Sequence, residues 1–141
     1  GTSAGTVSVD GTDLPVYRYE LVLTGVNKDS LDITDTFDTS ILKYYASSAY
    51  DAGHIYGGTQ YGQYEGNVTF TTSATSSGMT IHVASVPKNA NGNYYSHYKL
   101  VYYLIVKDKA ALNTLKAKAL SDKGTATLVQ YGSMGFHVEH S

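Results

Sequence analysis

Asp35 is the residue whose type and spacing most directly suggest chemistry. It lies in Leu31-Asp32-Ile33-Thr34-Asp35-Thr36-Phe37-Asp38, where apolar and polar residues alternate. A period of two marks a pleated strand with one buried side. Asp35 shares the parity of Leu31 and Ile33, so its carboxyl points toward the core. A carboxylate in an apolar interior is costly unless it has a partner or a task.

A second candidate is segment 44–64, rich in tyrosine and glycine. Tyr50, Tyr56, Tyr61 and Tyr64 stand there among Gly53, Gly57, Gly58 and Gly62. A tyrosine offers a flat apolar face and a hydroxyl at low entropic cost, which suits glycan or protein contacts. Packing of the same rings over the edge of a sandwich is the other reading.

The remaining polar clusters fit known chemistry poorly. His137-Val138-Glu139-His140 lacks the i, i+4 pair of a zinc-protease helix. His137 and Glu139 share a face in a strand, but a metal centre needs three or four converging ligands, so no metal is expected. Asp29, Asp32, Asp35 and Asp38 recur every third residue without the order or closing Glu of a calcium loop. There is no G-x-S-x-G elbow. No cofactor is expected, and no enzyme acting on a diffusible substrate. Asn67-Val68-Thr69 matches a glycosylation acceptor and is expected to be idle.

Composition narrows the classes further. A chain of 141 residues with 42% apolar content is one domain with a sizeable core. Only 16% of residues are charged, the net charge is −2, and Arg18 is the single arginine. Nucleic-acid binding needs a basic stripe, which is missing. Lys107, Lys109, Lys116, Lys118 and Lys123 surround one helical segment and read as its wet face. Cysteine is absent, which excludes disulfides, thiolate metal sites and a cysteine nucleophile, and is in keeping with a bacterial source. No apolar run reaches the ~18 residues of a membrane span, so no membrane insertion is expected. The start Gly1-Thr2-Ser3-Ala4-Gly5 reads as the beginning of a domain excised from a larger protein.

These residues must be held by strands. Residues 1–5 read as a flexible leader and 6–141 as a single domain. Strands are predicted over 6–9, 16–24, 31–35, 41–45, 68–72, 79–86, 94–106, 125–131 and 134–139. In 68–72, Val68, Phe70 and Thr72 share a side. In 79–86, Met79, Ile81 and Val83 point inward and His82 outward. Segment 46–66 is too Gly-rich for a core strand and long for a structureless loop, so part of it reads as an irregular hairpin. Asn91-Gly92 centres a turn. Asp108 is a fair N-cap for a helix over 109–120, with Leu112, Leu115 and Ala119 on one side. Many short strands and one short helix near the C-terminal third make an all-β, antiparallel β-sandwich. The expected core is Tyr19, Leu21, Leu23, Ile33, Phe70, Ile81, Val83, Leu100, Tyr102 and Leu104.

The order of elements resembles the immunoglobulin-like domains of Gram-positive surface adhesins and pilins. The residues that carry it are Val16-Tyr17-Arg18-Tyr19-Glu20-Leu21, the Leu31–Asp38 run, Tyr98-Lys99-Leu100-Val101-Tyr102-Tyr103 and Thr125-Ala126-Thr127. The resemblance implies an immunoglobulin-like sandwich serving as a structural or adhesive module, a stalk or adhesin domain. It implies an extracellular place, attached to the cell wall through other parts of the protein. The implied partners are a host or neighbouring-cell protein or glycan, and neighbouring domains of the same chain. A carbohydrate-binding module using segment 44–64 is the alternative.

Many domains of this group form an amide between a first-strand Lys and a last-strand Asn or Asp beside a buried acid. By motif that acid corresponds to Asp35. Here no Lys precedes Lys28, and Gly124 stands where Asn often precedes Thr-Ala. A Lys–Asn amide is therefore not expected. A related group uses a Thr–Gln ester, for which Thr6 and Gln130 are the pair that position allows.

Overall fold

The protein is described from a computed structural model, which covers residues 2–47, 50, 53–59, 64–117, 126–130 and 137–140. In chain order the strands are β1 Thr2–Val9, β2 Thr12–Thr24, β3 Leu31–Phe37, β4 Leu42–Tyr45, β5 His54–Gly58, β6 Gly66–Thr69, β7 Thr71–Thr75, β8 Gly78–Val83 and β9 His97–Val106. Helix α1 Lys109–Ala117 follows, then β10 Ala126–Gln130 and β11 His137–His140.

The two longest alternating runs, β2 and β9, pair antiparallel from Val16 opposite Ile105 to Thr24 opposite His97. This ladder centres a seven-stranded sheet in the order β1-β2-β9-β5-β6, with β11 also on β2 and β4 also on β9. The second sheet has four strands in the order β10-β3-β8-β7. Its centre aligns Leu31 with Val83, Ile33 with Ile81 and Asp35 with Met79. Tyr19, Leu21, Leu23, Tyr98, Leu100 and Tyr102 from the large sheet and Ile33, Ile81 and Val83 from the small one are all fully buried. The molecule is a β-sandwich. Every residue of the expected core is in it. Such side chains contribute about 1.5–3 kcal/mol each before entropy is counted.

The large sheet also has a second buried patch. Leu14, Val16 and Ile105 have the parity opposite to Tyr19 and Tyr102, yet they are buried. Helix α1 lies against β2 and buries Ala111, Leu112 and Leu115, which accounts for their burial. The Asp108 carboxylate caps this helix by accepting the Ala111 N–H at 2.8 Å. The helix thus covers one end of the sheet's outer face. The rest of that face holds half-buried residues: Arg18, Glu20, Lys99, Tyr103, His54 and Tyr56.

Three segments differ from expectation. Residues 2–5, expected as a leader, belong to β1, because Thr2 and Ser3 pair with Arg18 and Tyr17 before an irregularity between Ser3 and Thr6. The Gly-rich segment supplies an interior strand: β5 lies between β9 and β6. Its glycine has a packing reason, since a Cβ on Gly57 would sit 2.3 Å from the Tyr95 ring. The strand expected over 68–72 is two strands. The Phe70 N–H donates to the Gly53 carbonyl at 2.7 Å, and the chain passes from the large sheet to the small one at that residue.

Gly78 opens β8 at φ +155°, and an added Cβ would stand 2.0 Å from the Asp35 carbonyl oxygen. That neighbour is backbone and cannot rotate away. Gly78→Ala should cost at least about 2 kcal/mol. Urea unfolding at constant m checks this, and an unchanged midpoint would contradict the packing described.

Candidate functional site

Two places gather polar groups, one between the sheets and one outside them. Between the sheets, strand parity sends Asp35 inward from β3, and it is fully buried. Tyr102 reaches it from β9 of the facing sheet, its hydroxyl donating to Asp35 Oδ2 at 2.5 Å. Tyr19 is the cross-strand partner of Tyr102, and their rings stack with centroids 5.6 Å apart and planes at 14°. Burial, then the nearby Asp35 charge, raises the Tyr102 hydroxyl well above its ordinary range. The same two causes, in the same order, raise Tyr19. Both phenols therefore stay protonated at neutral pH, and Tyr102 serves as a donor rather than a nucleophile.

This arrangement can hold the two sheets together through hydrogen bonds. It offers a crosslinking reaction no amine among the described residues, where every lysine is exposed or half-buried. The proposed ester partners also lie in different sheets. Thr6 is exposed on β1 of the large sheet, whereas Gln130 is on β10, paired with Thr34 in the small sheet. Their strands are not hydrogen-bonded to each other, whereas the expectation is that they meet on adjacent strands.

The other aspartates have separate tasks. Asp32 points outward and lies 2.7 Å from His82 Nδ1 across the β3–β8 ladder. Asp29 accepts from the Tyr94 hydroxyl at 2.6 Å and pairs with Lys88 at 2.8 Å, joining two loops. Those hydrogen bonds lower the Asp29 carboxyl and raise Lys88. Asp38 accepts from the Ser40 N–H at 2.9 Å in a turn.

Outside the large sheet, the β2–β9 and β9–β5 registers align three rows of side chains. Arg18, Tyr103 and Tyr45 form one, Glu20, Val101 and His54 the next, and Val22, Lys99 and Tyr56 the third. Tyr50 packs over the first row, 4.8 Å from the Tyr103 ring and 5.5 Å from Tyr45. Its hydroxyl donates to the Ala4 carbonyl at 3.2 Å, so this ring also holds β1. Over the third row, the Lys99 ammonium sits 4.5 Å from the Tyr64 ring centre and 5.7 Å from that of Tyr56. Burial and the Glu20 charge raise the Tyr64 hydroxyl. Arg18 Nη1 meets Glu20 Oε2 at 3.1 Å.

Of the predicted binding tyrosines, Tyr50, Tyr56 and Tyr64 are half-buried on this face. Tyr61 lies outside the described residues. The sequence reading missed Arg18, Glu20, Lys99, Tyr45 and Tyr103. Each has the outward parity of its strand, but only the register places them side by side. Among the described residues no helix is long and apolar enough to cross a membrane. No protein-family model, curated protein or solved structure matches this chain.

The phenols fix the sign of a pH effect. A folded-state value raised above the ordinary 10.0 leaves stability intact below that pH. Above it the unfolded chain loses phenolic protons that the folded chain keeps, so stability falls as pH rises toward the folded values. The slope should be about 1.4 kcal/mol per pH unit for each buried phenol. Urea unfolding between neutral and strongly alkaline pH measures it, and a flat profile above pH 10 would be inconsistent with neutral buried phenols. Tyr102→Phe removes the donor to a buried carboxyl and should cost about 1.5–3 kcal/mol at neutral pH.

Proposed function

We propose that this protein is an adhesive module of a bacterial cell-surface protein, with the sandwich as a rigid body and the uncovered outer face of the large sheet as its contact surface. One observation carries the reading. Tyr45, Tyr50, Tyr56, Tyr64 and Tyr103 converge with Arg18 and Lys99 on the part of that face that α1 leaves uncovered. Half-buried tyrosines fixed by a sheet lose little entropy on contact and present apolar faces with hydroxyls. Rings placed only to fill a core would not need two cations among them.

Kinship with immunoglobulin-like surface domains is part of this reading and rests on the sequence runs that resemble them together with the sandwich architecture. In that setting the module is extracellular and wall-attached through other parts of its protein, and it meets a host or neighbouring-cell protein or glycan. The Asp35–Tyr102 hydrogen bond takes the place that a covalent lock has in that group. Intact mass should accordingly equal that of the uncrosslinked chain. A deficit of one ammonia would reveal an amide or ester and overturn this view.

A carbohydrate-binding module is the second reading, favoured by the cation held against Tyr56 and Tyr64. Both readings predict that the face, not the fold, carries adhesion. Beads coated with the protein should adhere to cell surfaces or glycan-coated plates. The double variant Tyr56→Ala, Tyr64→Ala should lower adhesion by roughly tenfold, as for paired contact residues, at a nearly unchanged melting temperature. Equal adhesion of variant and parent would leave only a passive stalk role.

A further inference from the structure

The outer face contains a depression of about 210 Å3 lined by Arg18, Tyr56, Lys99, Val101 and Tyr103. We propose that it is a subsite for a carboxylated sugar ring, a hexuronate or similar acidic pyranose unit of a glycan. The inference rests on the adhesive reading and specifies its ligand.

The charges point to an anion. Lys99 makes no ion pair among the described residues, and its ammonium is held against two tyrosine rings. An ammonium so placed is oriented before any ligand arrives. Arg18 gives only Nη1 to Glu20. A guanidinium has five N–H donors, so donors remain beside an acceptor carboxylate. Several N–H donors in one plane match the vicinal hydroxyls of a sugar. Lys99 then takes the carboxylate, and the remaining Arg18 donors read the hydroxyls.

The shape points to a ring. Lys99, Val101 and Tyr103 are alternate residues of β9, about 7 Å apart along the strand, which is close to the width of one pyranose. Val101 is buried between its row neighbours, and Tyr56 and Tyr103 line the depression together with the two cationic side chains. A polar lining with tyrosines beside it suits a hydroxylated ring better than an apolar ligand. An acidic peptide fits less well. The backbone beneath is paired on both sides, β9 with β2 and with β5, so it has no edge to which a strand adds.

The test is calorimetric titration of the full chain with an oligogalacturonate, its carboxyl-reduced neutral counterpart and an oligoglutamate peptide. The uronate should bind at least about tenfold more tightly than the reduced sugar. Lys99→Gln should abolish that preference. Arg18→Gln should weaken both sugars alike. Both variants should keep the parent's melting temperature, since both side chains are half exposed. Absent uronate binding, equal affinity for the reduced sugar, or tighter binding of the peptide would each overturn the proposal. If bead adhesion persists in that event, only the ligand assignment falls. If adhesion is lost as well, the adhesive reading falls with it.

Discussion

The antiparallel register of β2 against β9 is the constraint on which the rest of this structure depends. It sets Tyr19 opposite Tyr102 on the inner face and Arg18 opposite Tyr103 on the outer one. Side chains alternate between faces with a period of two, so a slip of one residue would exchange the two sets. The charged row would then enter the core, and the buried phenols would face water. The core hydrogen bond and the outer tyrosine face are two sides of one ladder, and neither can change register alone.

Asp35 shows how that ladder is joined to the second sheet. A carboxyl in the centre of a sandwich needs donors that are themselves positioned. Tyr102 is positioned by its strand, by stacking on Tyr19 and by complete burial. A phenol suits this role because its body contributes apolar area and only its tip is polar. It also keeps its proton in such surroundings, as the raised titration of both rings indicates. The sheets are therefore aligned by a directional contact as well as by apolar packing, which does not by itself fix one alignment.

Helix α1 decides how much of the outer face meets water. It lies against β2 and shields Leu14, Val16 and Ile105, so that end of the sheet is core on both sides. Beyond the helix the outward residues become tyrosines and charges. This division explains why an outer face of a seven-stranded sheet reads as apolar at one end and polar-aromatic at the other. In a chain of net charge −2, the uncovered face holds two cations, Arg18 paired with Glu20 and Lys99 held against tyrosine rings.

The amino-acid sequence by itself determined the local facts: alternation in β2, β3, β8 and β9, the inward Asp35, the outward His82 and the Asp108 cap. Each is readable because it rests on contacts within a few residues, where period and residue type decide which way a side chain points. The tertiary structure alone decided which strands are neighbours. Gly57 in an interior strand looks unfavourable until Tyr95 is found lying against it. Phe70 looks like the middle of a strand until its neighbours prove to belong to different sheets. Tyr102 as the partner of Asp35, 67 positions away, and the rows that join Arg18, Lys99 and Tyr56 depend on pairing between distant segments. Such pairing is selected by the packing of the whole core, and no window of sequence contains it.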